Sequence, residues 1–256
     1  MNDHVQRSIR HKLIIQSLQT GGRLRVEQLV ELTGSSAVTI RRDLAHLEAH
    51  GALRRVPGGA ARTVKHGESI PFSLQLAEDR DLKARLATAA AALIADYESV
   101  IIDNGTTCHA VAQELAGRPI TALCLSLHAA VVLGSTPGAR VIVPGGPVEP
   151  DTLAFLGSQA VDAVRNMRAD ALVLGTCSAS ATRGLTSTLY EDAQIKQASI
   201  QSSTRRILVT VADKLNRSSN FRFGTPADLT HLVITDDAPA ELLDIFRDDG
   251  VEVILV

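Results

Sequence analysis

The sequence predicts an α/β protein in two parts: a small N-terminal winged helix-turn-helix domain and a larger Rossmann-like α/β domain with a mainly parallel sheet. Helix-periodic segments separated by turn glycines fill the first sixty residues. Farther along, short apolar strands alternate with helices, which is typical of a parallel sheet covered on both faces. We place the first domain at residues 1–62, a linker at 63–80 and the second domain at 81–256.

Charge is distributed unevenly between these parts. Residues 1–66 contain eleven Lys or Arg and five Asp or Glu, a net charge of +6, whereas the remainder carries −8. A basic N-terminal part beside an acidic remainder indicates that only the N-terminal part binds a polyanion. A solvated basic face without any partner would have the same composition, so that alternative stays open here.

The bulk composition excludes several classes of protein. No apolar run approaches the ~20 residues that span a bilayer, and the first residues lack the apolar core of a secretory signal. We therefore expect a cytoplasmic protein without a membrane partner. Cys108, Cys124 and Cys177 lie far apart without CxxC spacing, which predicts small core side chains and no disulfide framework. The histidines show no ligand spacing, so we expect no metal and no cofactor.

The chain opens with two short predicted helices. The first has inward apolar side chains at helical spacing and ends at Gly21-Gly22; these side chains are Ile9, Leu13, Ile14 and Leu18. Arg23–Val26 leads into a second helix, Glu27–Thr33, in which Leu29 and Leu32 face inward. Gly34 supplies the tight turn that a helix-turn-helix requires.

A third helix is predicted from about Ala37 to Ala49, with Ser36 as its N-cap. Its apolar stripe, which should pack on the first two helices, consists of Ile40, Leu44 and Leu47. The opposite face carries Val38, Thr39, Arg42 and His46, with Arg41 on the flank. Arginine can donate two hydrogen bonds to guanine, and a Val or Thr methyl can contact a thymine methyl in the major groove. The alternative is an amphipathic surface helix with an incidental basic side.

A small β-wing follows. Ala52–Val56 alternates like a strand, Pro57-Gly58-Gly59 turns, and Ala60–Arg62 can return. Arginines in such a wing can reach the phosphate backbone, which positions a protein on DNA while the helix specifies the sequence. We therefore predict that double-stranded operator DNA is bound by Ser36, Val38, Thr39, Arg41, Arg42, His46, Arg54 and Arg55.

The motifs of this region resemble the signature of DeoR-family bacterial repressors. They are Thr39-Ile40-Arg41-Arg42-Asp43-Leu44, then Leu47 and Gly51, then Arg55-Val56-Pro57-Gly58-Gly59-Ala60. The resemblance implies a transcriptional regulator whose C-terminal domain resembles ribose-5-phosphate isomerase and senses phosphorylated sugars or related metabolites. A single winged domain contacts too few base pairs to find an operator, so we also expect a homo-oligomer.

The body of the chain alternates predicted strands and helices after an alanine-rich helix at Asp81–Ala95. The strands are Ser99–Ile102, Ile120–Leu125, Arg140–Val143, Ala171–Leu174, Arg206–Val211, His231–Thr235 and Val251–Val256. The helices are Thr107–Leu115, His128–Leu133, Ala193–Ser203 and Ala240–Phe246. In such a sheet, ligands bind beyond the carboxyl ends of the strands.

The most informative strand-end loop runs from Asp103 to Thr107. Gly105 allows close backbone approach, Thr106 and Thr107 offer hydroxyls, and free N–H groups at a helix start favour an anion. An ordinary turn in which a threonine is the N-cap is the alternative. Walker and GxGxxG motifs are missing from the sequence.

The family resemblance extends the predicted effector site. The full set is Asp103, Gly105, Thr106, Thr107, Gly145, Gly146, Glu149, Gly175, Asp192, Lys196 and Lys214. The chain departs from the family pattern at Cys124-Leu125, usually Thr-Asn, and at Glu149, where Arg is common. We therefore expect a pocket that is less polar near Leu125, and an anionic, polyol-like effector with fewer hydroxyls or an apolar portion.

An enzyme is the competing interpretation. A sugar-phosphate isomerase needs a carboxylate to move a proton and a cation to stabilise the enediolate, which Glu191 or Asp192 with Lys196 could supply. However, an i, i+4 pair such as Asp192 and Lys196 is commonly a structural salt bridge. A sensor fused to a DNA-binding domain also gains nothing by consuming its signal, so we predict a regulator and not an enzyme.

Overall fold

A computed structural model describes residues 7, 9–11, 13–15, 17–18, 23–49, 52–61, 72–77, 79–180, 183–215 and 217–256. Clustering of the chain gives two compact units, Met1–Glu78 and Asp79–Val256. Several predicted features lie outside the described residues: the helix end at Gly21-Gly22, the turn at Gly51, the end of the wing at Arg62, and most of the linker. Within that linker, residues 72–77 form a short helix that the sequence did not predict.

The N-terminal unit has the predicted helix-turn-helix and wing. Its elements are α1 (helical at residues 7, 9–11, 13–15 and 17–18), β1 (Arg23–Arg25), α2 (Val26–Thr33), α3 (Ala37–Ala49), β2 (Arg54–Val56), β3 (Gly59–Ala61) and α4 (Phe72–Ala77). Gly34 ends α2 with a φ of 64°, the left-handed conformation that glycine adopts at low cost. The three strands form an antiparallel sheet in the order β1-β3-β2.

In the helix-turn-helix core, the predicted apolar stripe of α3 is buried, whereas some apolar residues of α1 and α2 are exposed. Its most buried side chains are Ile14, Leu18, Leu29, Ile40, Leu44 and Leu47. Leu32 is wrong as a core residue: it lies in the last turn of α2 and is 47% exposed. Ile9 and Leu13 are exposed as well, because the face of α1 that packs on the core is formed by residues 11, 14, 15 and 18.

The wing has a third strand that was predicted only as a connection. In β1, Arg25 pairs with Gly59 of β3, and Leu24 pairs with Ala60. A Cβ added to Gly59 would lie 2.0 Å from the carbonyl oxygen of Leu24. Glycine at this position therefore allows the close approach of β1 to β3.

The larger unit contains ten strands, six α-helices and two short 3-10 helices among the described residues. The strands are β4 (Ser99–Ile102), β5 (Thr121–Cys124), β6 (Arg140–Ile142), β7 (Ala169–Leu174), β8 (Ser178–Ser180), β9 (Gly184–Ser187), β10 (Ser203–Thr210), β11 (Phe221–Gly224), β12 (His231–Ile234) and β13 (Glu252–Leu255). The helices are α5 (Arg80–Ala92), α6 (Thr106–Leu115), α7 (Leu127–Gly134), α8 (Ser158–Arg165), α9 (Tyr190–Gln201) and α10 (Ala240–Asp248).

Seven of these strands form one parallel sheet in the order β13-β12-β10-β7-β4-β5-β6. The chain starts at β4, proceeds to β5 and β6 on one side, and then returns to β7 on the other side of β4. This order confirms the Rossmann-like prediction and places the topological switch point between β4 and β7. Ligands of such sheets bind in the crevice beyond the carboxyl ends of the strands at that point.

Both faces of the sheet are covered, as predicted. Side chains of α5, α6 and α7 form one apolar core with the sheet, and those of α8, α9 and α10 form the other. Cys108 and Cys124 are buried in the first core, whereas Cys177 is half-buried in the loop after β7. The helix α8 and the small antiparallel sheet, in the order β11-β9-β8, were not predicted. Among the described residues, no helix has the length and apolar character of a membrane span.

Candidate functional site

The helix α3 presents a polar face opposite its buried stripe. Val38 is 67% exposed, and Arg41 and Arg42 are exposed beside it. Ser36 is the N-cap, as predicted: its hydroxyl accepts a hydrogen bond from the Thr39 N–H at 3.2 Å. The start of α3 is thus stabilised by an N-cap, and its first two turns expose the side chains that could enter a groove of DNA.

His46 differs from the other predicted DNA-binding residues of α3. It lies in the third turn and is half-buried, and its ring centroid is 5.4 Å from that of His11 in α1. The imidazole is therefore packed beside α1 and is less accessible than Arg41 or Arg42.

The wing places a basic residue of β1 on the same face of its sheet as one of the predicted phosphate-binding arginines, with the central strand β3 between them. Arg23 and Arg54 both lie opposite Ala61 of the central strand, so they share one face of the sheet. Arg55 lies opposite Ala60, and its N–H donates to Glu48 Oε1 at 2.8 Å. Arg23 was not predicted as a DNA-binding residue: the arginines of its segment are visible in the sequence, but the pairing of that segment with the wing is not.

In the larger unit, a buried polar cluster lies at the switch point between β4 and β7. Asp103, directly after β4, accepts a hydrogen bond from the Gly175 N–H at 2.9 Å; Gly175 follows β7. Its carboxylate also forms an ion pair with Lys196 of α9. Asp103 therefore connects the ends of two neighbouring strands to a helix on one face of the sheet.

Asp192 completes this cluster on α9. It accepts hydrogen bonds from Asn104 Nδ2 at 2.7 Å and from Ser187 Oγ at 2.6 Å, and Lys196 Nζ lies 3.5 Å away. Asp192 and Lys196 thus form the predicted i, i+4 pair. Asn104 and Ser187 were not predicted as site residues: Asn104 is 88 positions from Asp192, whereas Ser187 is five positions away but lies in the unpredicted strand β9.

The two lysines of the predicted site have different surroundings. Burial alone would lower the pKa of Lys196, but the carboxylates of Asp103 and Asp192 raise it above its usual range. Burial lowers the pKa of Lys214, whose ammonium donates to the Thr176 carbonyl at 2.8 Å. Lys196 is therefore paired with two carboxylates, whereas the described hydrogen bond of Lys214 uses only one of its three donors.

The helix α6 begins beside this cluster. Its N-cap is Gly105, with a φ of 106° and no capping side chain, so the alternative in which a threonine caps the helix is wrong. Thr106 is buried and Thr107 is half-buried in the first turn. The N–H groups at this helix start carry part of the positive end of the helix dipole.

The remaining predicted effector residues lie elsewhere. Gly145, Gly146 and Glu149 lie in the loop after β6, an edge strand that β5 separates from β4. The two glycines are exposed, with φ values of 78° and 84°, and Glu149 is half-buried. Leu125 is almost fully buried in the core, and a pocket that is less polar near it stays a prediction.

The cluster makes Lys196 important for stability. We expect Lys196→Met to lower the free energy of unfolding of the larger unit by about 3–5 kcal/mol, because two buried carboxylates lose their cation. Lys214→Met is the control and should cost no more than about 1–2 kcal/mol, since one hydrogen bond to a carbonyl is lost. Hydrogen exchange of the β4 and β7 amides in increasing urea measures both. Equal losses of unfolding free energy in the two variants would contradict the stabilising role of the ion pairs that Lys196 forms with Asp103 and Asp192.

Comparison with known proteins gives one matching family model for each of the two units. Residues 10–65 match the model of the DeoR-like helix-turn-helix domain, and residues 78–237 match that of the DeoR C terminal sensor domain. The putative aga operon transcriptional repressor of Escherichia coli O157:H7 is 32% identical over 97% of this chain and 94% of its own length. The glycerol-3-phosphate regulon repressor of Haemophilus influenzae is 30% identical over 98% of both chains.

A solved structure and a further relative are more distant. The HTH-type transcriptional repressor GlcR of Bacillus subtilis is 29% identical over 94% of this chain and 93% of its own. Ribose 5-phosphate isomerase A of Methanocaldococcus jannaschii covers 54% of this chain and 55% of that chain, with 14% identity and a TM-score of 0.39, too low to support an argument. The family models and the relatives that match nearly the whole chain establish that this protein belongs to the DeoR family of bacterial transcriptional regulators.

Proposed function

We propose that this regulator is a cytoplasmic repressor that binds operator DNA through α3 and the wing and responds to a phosphorylated sugar or a related anionic metabolite. Residues 1–62 would bind DNA, 63–80 would link, and 81–256 would sense the effector. The observation that carries the proposal is the face of α3, where Val38, Arg41 and Arg42 are exposed opposite a fully buried stripe. The relatives named above are repressors, which supports the sign of the regulation.

Within the DNA-binding unit, we assign two kinds of contact. Val38, Thr39, Arg41 and Arg42 contact base edges from the first two turns of α3, the part of a recognition helix that usually enters the major groove. The wing arginines contact phosphates and position the protein. Arg23 joins Arg54 and Arg55 in this second group because it shares the face of Arg54.

Two substitutions separate these kinds of contact. Arg42→Ala should reduce discrimination at one base pair by about 1–3 kcal/mol, because a specific hydrogen-bonding side chain is lost. Arg55→Ala should weaken binding to all duplexes alike and reduce the slope of log K against log salt by about 1. Fluorescence anisotropy with a duplex selected by the protein from a random library, and with a scrambled duplex, distinguishes the two. Failure to bind any duplex upstream of its own or neighbouring genes at low salt would refute the proposed function.

We also propose that the protein acts as a homo-oligomer with paired half-sites. One winged domain contacts only a few base pairs, which is too little to select an operator from a genome. Multi-angle light scattering should therefore give a mass above one chain at micromolar concentration. A monomer both with and without DNA would contradict this assembly.

We place the anionic group of the effector at the start of α6, near Lys214. The first-turn N–H groups and the Thr106 and Thr107 hydroxyls can donate to an anion, and Lys214 has unused donors. Asp103, Asp192 and Lys196 bind one another and would hold the loops in place. One relative is named for the regulon of glycerol 3-phosphate, a phosphorylated polyol, which agrees with this chemistry.

The enzymatic alternative has little support in the geometry. A catalytic carboxylate must reach its substrate, but Asp192 is buried and bound to Asn104, Ser187 and Lys196. The cation that isomerisation would require, Lys196, is likewise paired with two carboxylates. The family and its named repressors point to a regulator and not to an enzyme.

A thermal-shift screen tests the effector site. Among sugar phosphates, phosphorylated polyols and sugar acids, at least one compound should raise the melting temperature of the wild-type chain. Thr106→Val should abolish that shift, because the hydroxyl is lost while the shape is kept. Thr204→Val is the matched control, since Thr204 is exposed near the opposite end of the sheet, at the start of β10. A normal response of Thr106→Val to the true effector would show that the site is elsewhere.

A further inference from the structure

A buried carboxylate connects α3 to α1 in the DNA-binding unit. Asp43, 3% exposed, accepts a hydrogen bond from Arg10 Nε on one oxygen and from His11 Nε2 at 3.0 Å on the other. Arg7 Nε lies 3.9 Å from the second oxygen. Both donors belong to α1, so this cluster joins the two helices by directional contacts in addition to their apolar packing.

The cluster is electrostatically consistent with an ionised Asp43. Burial alone would raise the pKa of this carboxyl, but the hydrogen bonds from Arg10 and His11 lower it below its usual range. Burial lowers the pKa of His11, so its ring is neutral near pH 7 and donates its Nε2 proton. A buried carboxylate without partners is costly, and here both oxygens have one.

Directional contacts matter because α3 must hold its exposed side chains at defined positions. Apolar packing of Leu44 and Leu47 against Ile14 and Leu18 is non-directional and tolerates small rotations of a helix. A rotation of about 20° moves a group about 8 Å from the helix axis by about 3 Å, which is comparable to the length of a hydrogen bond. Arg42, the neighbour of Asp43 in sequence, would lose a two-bond contact with a base at such a displacement.

We infer that Asp43, held by Arg10 and His11, is a positioning residue that fixes the rotation of α3 and thereby the sequence discrimination of this repressor. The inference rests on the proposed role of α3 in base recognition. Asp43 itself is buried and does not contact DNA. Its effect should therefore appear in the difference between selected and scrambled DNA and not in the affinity for DNA as such.

The test uses the full-length chain and the two duplexes of the previous subsection. Asp43→Asn keeps the size of the side chain but removes its charge, and Glu31→Gln removes the same charge from an exposed position on α2. Relative to Glu31→Gln, we expect Asp43→Asn to bind the scrambled duplex with similar affinity and the selected duplex about tenfold more weakly. A loss of folded protein alone would weaken both duplexes by the same factor, so the ratio of the two affinities separates positioning from stability.

A second variant covers the case in which Asp43→Asn does not fold. Arg10→Lys leaves the net charge unchanged but replaces the planar guanidinium, which fits a carboxylate, by a compact ammonium. We expect a smaller loss of discrimination in the same direction. Equal changes for the two duplexes in every variant that folds would overturn the inference. If Arg42→Ala also left discrimination unchanged, the proposed role of α3 would fail as well, so the two failures can be distinguished.

Discussion

The ion pair between Asp103 and Lys196 is the interaction on which the larger unit depends. A parallel sheet with a switch point leaves a crevice between β4 and β7, and polar backbone groups face that crevice. Asp103, at the end of β4, accepts a hydrogen bond from the Gly175 N–H at the end of β7 and forms an ion pair with Lys196 of α9. Asp192 of α9 accepts hydrogen bonds from Asn104 and Ser187. Because a buried charge is tolerated only when it is paired, the loss of either partner would disturb β4, β7, β9 and α9 together.

The N-terminal unit also contains a buried aspartate, Asp43, that joins two elements of its fold. Its three-helix core is small, and apolar burial there specifies compactness more strongly than it specifies the rotation of one helix against another. A carboxylate that accepts from Arg10 and His11 adds direction to that packing. In both units, then, a buried aspartate joins elements that are distant in the sequence, and the side chains proposed to bind ligands lie next to these clusters.

Much of the fold could be predicted because its signals are local. The apolar run Ser99–Ile102 is a strand with the predicted bounds, and Ser36 caps α3 as its position before the helix suggests. The strands β8, β9 and β11 are only three or four residues long, with the sequences Ser-Ala-Ser, Gly-Leu-Thr-Ser and Phe-Arg-Phe-Gly, so no period is long enough to identify them. The candidate site was predicted in part: Asp192 and Lys196 are one helical turn apart, whereas the contact of Asn104 with Asp192 joins residues 88 positions apart. Such a contact depends on the packing of whole elements.

The structure also separates the two departures from the family pattern. Leu125 is almost fully buried in the core, where its side chain contributes to apolar packing. Glu149 is half-buried in the loop after β6. The anion site that we propose at Thr106 and Lys214 uses neither of these two side chains. In the site that we propose, Glu149 would act on the end of the effector away from the anion, because a carboxylate accepts hydrogen bonds from hydroxyls and disfavours a second anionic group.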